Sequence, residues 1–206
     1  MTNLKLIDLE SLGADLSKYA SYLSPSENAH MKSIKIPARA RQWLGGRIAA
    51  KLLLQRVTGL SLEQIVVEKD KSPRTKGRPF YENWFLSISH AGQIAGAALS
   101  SEPIGFDIEE IEYRPYMEQI AFPQALRDRW DHLDPEKRAE QSTMKWTELE
   151  AITKYLGTGL RIPFDRIRRP KGTLIQQAMF THHEKRMGWT MITKPLRTTP
   201  SGDNFE

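Results

Sequence analysis

The sequence has no cysteine among its 206 residues, which removes disulfides, thiolate metal sites and cysteine nucleophiles from consideration. It has no stretch approaching the roughly 20 apolar residues that a membrane helix requires. Its first residues, MTNLKLIDLESLGADL, alternate apolar with acidic or polar side chains and lack a basic head followed by an apolar run, so no secretory signal is expected. The phosphate-cradling loop G-x-x-x-x-G-K-[ST] is missing, and GTGLRI lacks the third glycine of G-x-G-x-x-G. A cytoplasmic, soluble protein with no membrane partner is the expectation.

What is present is ordinary globular usage, 39% hydrophobic and 27% charged, enough for one large domain or two small ones. The net charge is +5 and the pI about 9.4. A positive balance points to an anionic partner, and nucleic acid, a phosphorylated small molecule or an acidic protein all fit. The basic groups, IPARARQWLGGR, KDKSPRTKGR and RIPFDRIRRPKG, are dispersed, so no single basic tail exists.

Periodicity organises the chain. From about Pro37 to Thr58, Trp43, Leu44, Ile48, Leu52 and Val57 recur near helical spacing between a Pro start and Gly59. QIVVEKD predicts a strand and KSPRTKGRP a basic loop. NWFLSISH, QIAGAAL and PIGFDIE are strand-length runs joined so tightly that an antiparallel meander is expected. Short helices follow from Pro115, with Pro123 and Pro135 as helix starts, and a long helix runs from about Pro135 to Leu156 before GTGL. FDRIRR, TLIQQAMF and GWTMITK predict further strands, and the tail from about residue 197 is expected to be disordered. The order of elements argues for α+β layers, in two halves meeting near residue 100.

Within IGFDIEEI, Asp107 and Glu109 are two apart on a strand and so share one face, about 7 Å apart along the backbone. Either that face is solvated, where screening weakens the repulsion, or a divalent cation with oxygen ligands sits between them. The helix STMKWTELEAITKYLGTGL offers a second group. Leu149, Ile152 and Leu156 fall on a core face, whereas Trp146, Glu150 and Lys154 fall on another. Glu150 and Lys154 are either an exposed ion pair contributing about 0.2 to 0.5 kcal/mol, or a third carboxylate and an ammonium aimed at the strand acids. Three acids suit magnesium, and a neighbouring Lys suits the phosphate that magnesium neutralises. In SISHAG, Ser89 and His90 end a strand at a tight turn, where hydroxyl, imidazole and backbone N–H groups can meet an oxyanion. Residues i and i+1 of a strand face opposite ways, so these two are not a nucleophile and its base. By the same rule His182 and His183 lie on opposite faces of a strand or in a turn. HHEKRMG reads as an exposed hairpin connection, with no metal ligation expected.

Taken together and in order, GRPFYENWFLSISHAG, IGFDIE and WTELEAITKYLGTGL resemble the 4′-phosphopantetheinyl transferase superfamily, in its larger, monomeric, surfactin-type class. That pattern is G-K/R-P, an N/S-I-S-H turn, G-x-D-x-E and W-x-x-K-E-x-x-x-K, and the resemblance runs from about Arg41 to Leu160. The chain departs from it at Leu149, where the family most often has Lys.

The resemblance implies a fold and a chemistry. The fold would be a pseudo-twofold pair of similar α+β halves, residues 1–100 and 101–206. Each would pack a small antiparallel sheet with a long helix, and the active site would lie in the cleft between them. Asp107, Glu109 and Glu150 would hold Mg²⁺ against the pyrophosphate of coenzyme A. Glu150, directly or through water, would take the proton from a carrier-protein serine, and its pKa beside a cation is expected to stay low. Lys154 would contact the phosphate and the leaving 3′,5′-ADP. Ser89 and His90 would bind phosphates, while Arg41 and Arg78 match positions that contact the 3′-phosphate and adenosine end. The partners implied are coenzyme A and an acidic acyl or peptidyl carrier protein, with the enzyme a monomer. Two rivals are a nucleic-acid-binding module, which the carboxylate face at Asp107, Glu109 and Glu110 disfavours because it repels phosphodiesters, and a catalytically lapsed binder of coenzyme A or a carrier.

Overall fold

Two antiparallel sheets form the computed structural model of the protein, which describes residues 3–72, 75 and 77–195. The disorder expected of the tail from about residue 197 falls outside those residues. The first sheet contains β1 (Asn3–Asp8), β2 (Glu68–Lys69), β3 (Pro79–Tyr81), β4 (Trp84–Ala91) and β5 (Ile94–Ser100), in the order β1-β5-β4-β3-β2. The second contains β6 (Ile104–Glu110), β7 (Leu174–His182) and β8 (Lys185–Thr193), in the order β6-β8-β7. The helices are α1 (Pro25–Ser33), α2 (Pro37–Thr58), α3 (Pro115–Ala121), α4 (Gln124–Trp130) and α5 (Pro135–Leu156). The α+β class expected from the sequence is the class observed.

Each sheet carries one long helix, and in each case the sequence explains the bounds. Pro37 and Pro135 supply the fixed φ suited to a first turn. Gly59 and Gly157 end α2 and α5 in the left-handed region, at φ 73° and 72°. The Asp134 side chain also accepts a 2.9 Å hydrogen bond from the Lys137 N–H. Leu44, Ala49, Leu53 and Leu54 of α2 are buried against β5, whose run IAGAALS is small enough to let the helix lie close. Part of the basic character of α2 is structural. Lys51 is fully buried, 2.8 Å from Glu27 of α1, and donates to the carbonyls of Tyr22 (2.7 Å) and Leu62 (3.1 Å).

The expected three-strand meander is not formed. β4 and β5 pair as a hairpin, but β6 leaves for the second sheet and pairs with β8. The reason is that both edges of β5 are taken, one by β4 and the other by β1, from Asn3↔Leu99 to Asp8↔Ile94. The sequence reading assigned no strand to NLKLID, and so left that edge open. β6 instead meets β4 through side chains. Ser87 Oγ accepts from the Phe106 N–H at 2.9 Å and donates to the Phe106 carbonyl at 3.3 Å.

Other expectations are corrected locally. FDRIRR is a single turn of 3₁₀ helix at Phe164–Arg166 and not a strand. Only Glu68–Lys69 of QIVVEKD pairs, because Ile65 and Val67 enter the core from an irregular segment. Leu149 and Ile152 are buried as expected of the core face of α5, but Leu156, next to the cap, is exposed.

Candidate active site

β4, β6 and α5 meet at four side chains. Ser89 lies two residues beyond Ser87 and therefore on the same face of β4. Its hydroxyl donates to Asp107 Oδ1 on β6 at 2.6 Å. Lys154 Nζ on α5 donates to Ser89 Oγ at 2.9 Å and to the same Asp107 oxygen at 2.5 Å. Glu150, one turn back on α5, lies 3.5 Å from that ammonium. Glu150 and Asp107 thus touch one cation, which keeps the helical acid well within a nanometre of the strand acid.

Gly105 makes this approach possible. A Cβ there would lie 1.8 Å from the Ala151 carbonyl oxygen and 2.6 Å from the Tyr155 nitrogen. Ala151 and Tyr155 directly follow Glu150 and Lys154, so backbone contact at this glycine sets how near the helical pair comes to Asp107. One turn earlier, Thr147 and Thr190 hydroxyls hydrogen-bond at 2.6 Å, and Thr190 is the β8 residue opposite Asp107.

The site is crowded with negative charge. Burial, reinforced by Asp107 and Glu109 and opposed by Lys154, pushes the Glu150 carboxyl up to about 7. This is the metal-free site, where the countercharge is a single shared ammonium, whereas the low value expected for Glu150 concerns a site with the cation bound. Burial and Asp107 also raise Glu109, against the pull of Arg114. Burial alone would lower Lys154, but Asp107 and Glu150 outweigh it and the ammonium is held above its usual range. Asp107 Oδ2 is buried and has no hydrogen-bond partner among the described residues.

An unpartnered carboxylate oxygen, a carboxyl raised by burial and by its acidic neighbours, and an all-oxygen donor set fit a hard divalent cation such as Mg²⁺. The three acids are nonetheless drawn apart: Lys154 stands between Asp107 and Glu150, and Arg114 holds Glu109 at 2.9 Å. Among the described residues, the metal-ligating group whose donor atoms all lie within 4.8 Å of one another is Asp8, His182 and His183.

Sequence reasoning missed Arg114. Its signal was a lone cation closing the acidic run DIEEIEYR, five residues after Glu109. Trp146, on the same α5 face as Glu150, also acts with Arg114 to oppose the rise at Glu109.

The remaining residues singled out from the sequence are dispersed around this centre. His90 is exposed, on the opposite side of β4 from Ser89, yet burial of its ring and the Lys154 charge lower its pKa. Arg78 donates to the Lys154 (3.1 Å) and Tyr155 carbonyls and so caps α5, while its Nε is buried with no partner among the described residues. A cavity of about 250 Å³ lies here, lined by Arg78, Ser87, Thr153, Lys154 and Gly157 among others. Arg41 is apart from the acids, donating to the carbonyls of Leu9 (3.2 Å) and Gly13 (2.5 Å). Leu149 packs with Phe122, Trp130 and Ile152 in the core, so the departure from the family pattern removes no group from the acidic centre.

Known proteins are similar to this chain in sequence. Residues 103–192 match the family model described as the 4′-phosphopantetheinyl transferase superfamily. The 4′-phosphopantetheinyl transferase psf-1 of Bacillus pumilus is 24% identical over 160 residues, covering 76% of this chain and 67% of that protein. The 4′-phosphopantetheinyl transferase gsp of Aneurinibacillus migulanus is 25% identical over 145 residues, covering 68% of this chain and 57% of that protein. The matches thus span about two thirds or less of those relatives' lengths. On these matches the chain is similar to the 4′-phosphopantetheinyl transferase superfamily, most directly over residues 103–192.

Proposed function

We propose that the protein transfers the 4′-phosphopantetheine group of coenzyme A to a serine hydroxyl of an acyl or peptidyl carrier protein, as a holo-[acyl-carrier-protein] synthase. The observation that carries this reading is the meeting of Asp107, Glu150 and Lys154 beside Ser89, on elements from the two sheets. In the reaction the serine oxygen bonds to the phosphorus bearing the pantetheine. The bond from that phosphorus to the bridging oxygen breaks, and 3′,5′-ADP leaves. The serine proton passes to Glu150 or to a water that Glu150 holds.

A Mg²⁺ ion held by Asp107, Glu109 and Glu150 would neutralise the diphosphate oxygens and align them for in-line displacement. The chain's own residues supply the rest. Without the metal the Glu150 carboxyl is pushed up to about 7; beside a Mg²⁺ ion the ionised, proton-accepting form would be favoured, and a positioned base contributes about 10²- to 10⁴-fold. Lys154 exchanges part of its contact with Asp107 for phosphate oxygens and balances charge on the departing group. Ser89, on the acid-bearing face of β4, and His90, at the strand's exposed end, would bind the phosphates from different sides. Arg78, with an unpartnered Nε beside the cavity, suits the 3′-phosphate and adenosine end. Arg41 uses one nitrogen on the backbone and retains other N–H donors for the same end.

The cleft lies between the halves 1–100 and 101–206, and the enzyme acts as a cytoplasmic monomer. Its net charge of +5 favours encounter with an acidic carrier, at a rate that falls as salt rises. Incubation with coenzyme A, Mg²⁺ and a panel of apo acyl and peptidyl carriers tests the reading by mass spectrometry. The expected result is the phosphopantetheine increment on a carrier serine; its absence from every carrier would overturn the reading.

A further inference from the structure

The adjacent histidines of the β7–β8 hairpin do not diverge. His182 pairs with Lys185 across a two-residue turn whose residues, His183 and Glu184, both have positive φ, 44° and 64°. The turn breaks strand alternation, and the two imidazoles come together with ring centroids 4.1 Å apart. Both then face Asp8 at the end of β1, with His182 Nε2 3.5 Å from Oδ1 and His183 Nε2 3.5 Å from Oδ2. His183 Nε2 is also 3.6 Å from Glu10 Oε2. Two imidazoles expected to carry no ligand role thus converge on a carboxylate.

We infer that Asp8, His182 and His183 form a transition-metal site of the zinc class, which ties the end of β1 to the tip of the β7–β8 hairpin. Tetrahedral zinc with bonds of 2.0 to 2.1 Å to nitrogen and oxygen places its ligands about 3.3 Å from one another. The two Asp8–imidazole separations of 3.5 Å are already close to that spacing. Among the described residues His182 Nε2 is buried from solvent and makes no hydrogen bond, although Asp8 Oδ1 lies 3.5 Å away, so a ring nitrogen is held toward the cluster without a hydrogen-bond partner there. The Glu10 N–H donates to Asp8 Oδ1 at 2.9 Å and fixes the carboxylate's orientation. Glu10 or a water completes the fourth corner.

The histidines set the metal class, since imidazole suits zinc, copper or nickel whereas Mg²⁺ takes oxygen. The site does not depend on the proposed transferase reaction. It bridges the two sheets at residues 8 and 182–183, so its occupation stabilises the native arrangement of both.

Chelator-treated protein titrated with ZnCl₂ in excess Mg²⁺ tests this by calorimetry, with Co²⁺ as a spectroscopic probe of tetrahedral coordination. One Zn²⁺ per chain is expected, with a rise in Tm. Asp8→Asn should weaken binding by about tenfold or more, and His182→Gln/His183→Gln should abolish it along with the Co²⁺ absorption. The same titration on Asp107→Ala, away from this cluster, should remain as in the unaltered protein. His183→Gln alone, at a half-exposed turn, serves if the double variant fails to fold. Absence of stoichiometric Zn²⁺ binding, or binding unchanged in the histidine variants, would overturn the inference. Neither outcome bears on carrier modification.

Discussion

Lys154 Nζ lies 2.5 Å from Asp107 Oδ1, joining α5 to β6 across 47 residues of sequence, with the aspartate side chain 2% exposed and the lysine 26%. The same ammonium reaches Ser89 and Glu150, so one charge holds three elements together. Cationic charge at this point is what a cluster of buried carboxylates requires, whether a side chain or a bound ion supplies it.

Asp107→Ala should abolish carrier modification in the mass-spectrometric assay. It should also cost about 1 to 3 kcal/mol of stability, because the part-buried ammonium keeps only the more distant Glu150 carboxylate, 3.5 Å away. Adding Lys154→Met removes the orphaned charge, and chemical denaturation should show part of that loss restored.

Glu150 gives the metal-free protein a pH dependence of definite sign. Its carboxyl is raised from 4.5 to about 7, so the folded chain binds the proton more tightly than the unfolded one. The associated stability is complete below about pH 4.5 and is lost as pH rises through about 7. The unscreened ceiling is about 3 kcal/mol. Unfolding in EDTA between pH 4.5 and 8 should show this decline, and Glu150→Gln should flatten it while sharply lowering turnover. Mg²⁺ should flatten it too, by favouring the ionised carboxylates.

Gly105→Ala should be severe for so small a change. The new methyl would meet the α5 backbone, which has no rotamer with which to yield. A loss of about 3 kcal/mol is expected in denaturant titration. Any folded fraction should have weakened transfer, since α5 must move away from β6.

Leu149→Ala should destabilise by about 2 to 4 kcal/mol and leave Mg²⁺-dependent coenzyme A binding unchanged in calorimetry. Leu149→Lys, which restores the more usual family residue, should cost more in this chain, where the position packs against Phe122 and Trp130. Measured Tm values for the two variants decide the order.

Helices α2 and α5 were legible because their information is local. Apolar spacing, Pro at the start and glycine at the end all lie within the segment itself. The order of the G-x-D-x-E and W-x-x-x-E-x-x-x-K motifs was legible for the same reason. FDRIRR was misread because a short alternating pattern also suits a turn of 3₁₀ helix, and Leu156 because the last residue of a helix can satisfy its period yet face solvent beside the cap.

The sequence by itself determined the composition, the helical periods, the strand-forming runs and the family resemblance. Only the tertiary structure decided that β6 leaves the meander, that Arg114 draws Glu109 aside, and that His182 and His183 converge on Asp8. The physical reason is that periodicity is written within a few residues, whereas a strand's partner depends on which edges other strands have already filled. A side chain's partner depends likewise on backbone turns and charges brought close from far along the chain.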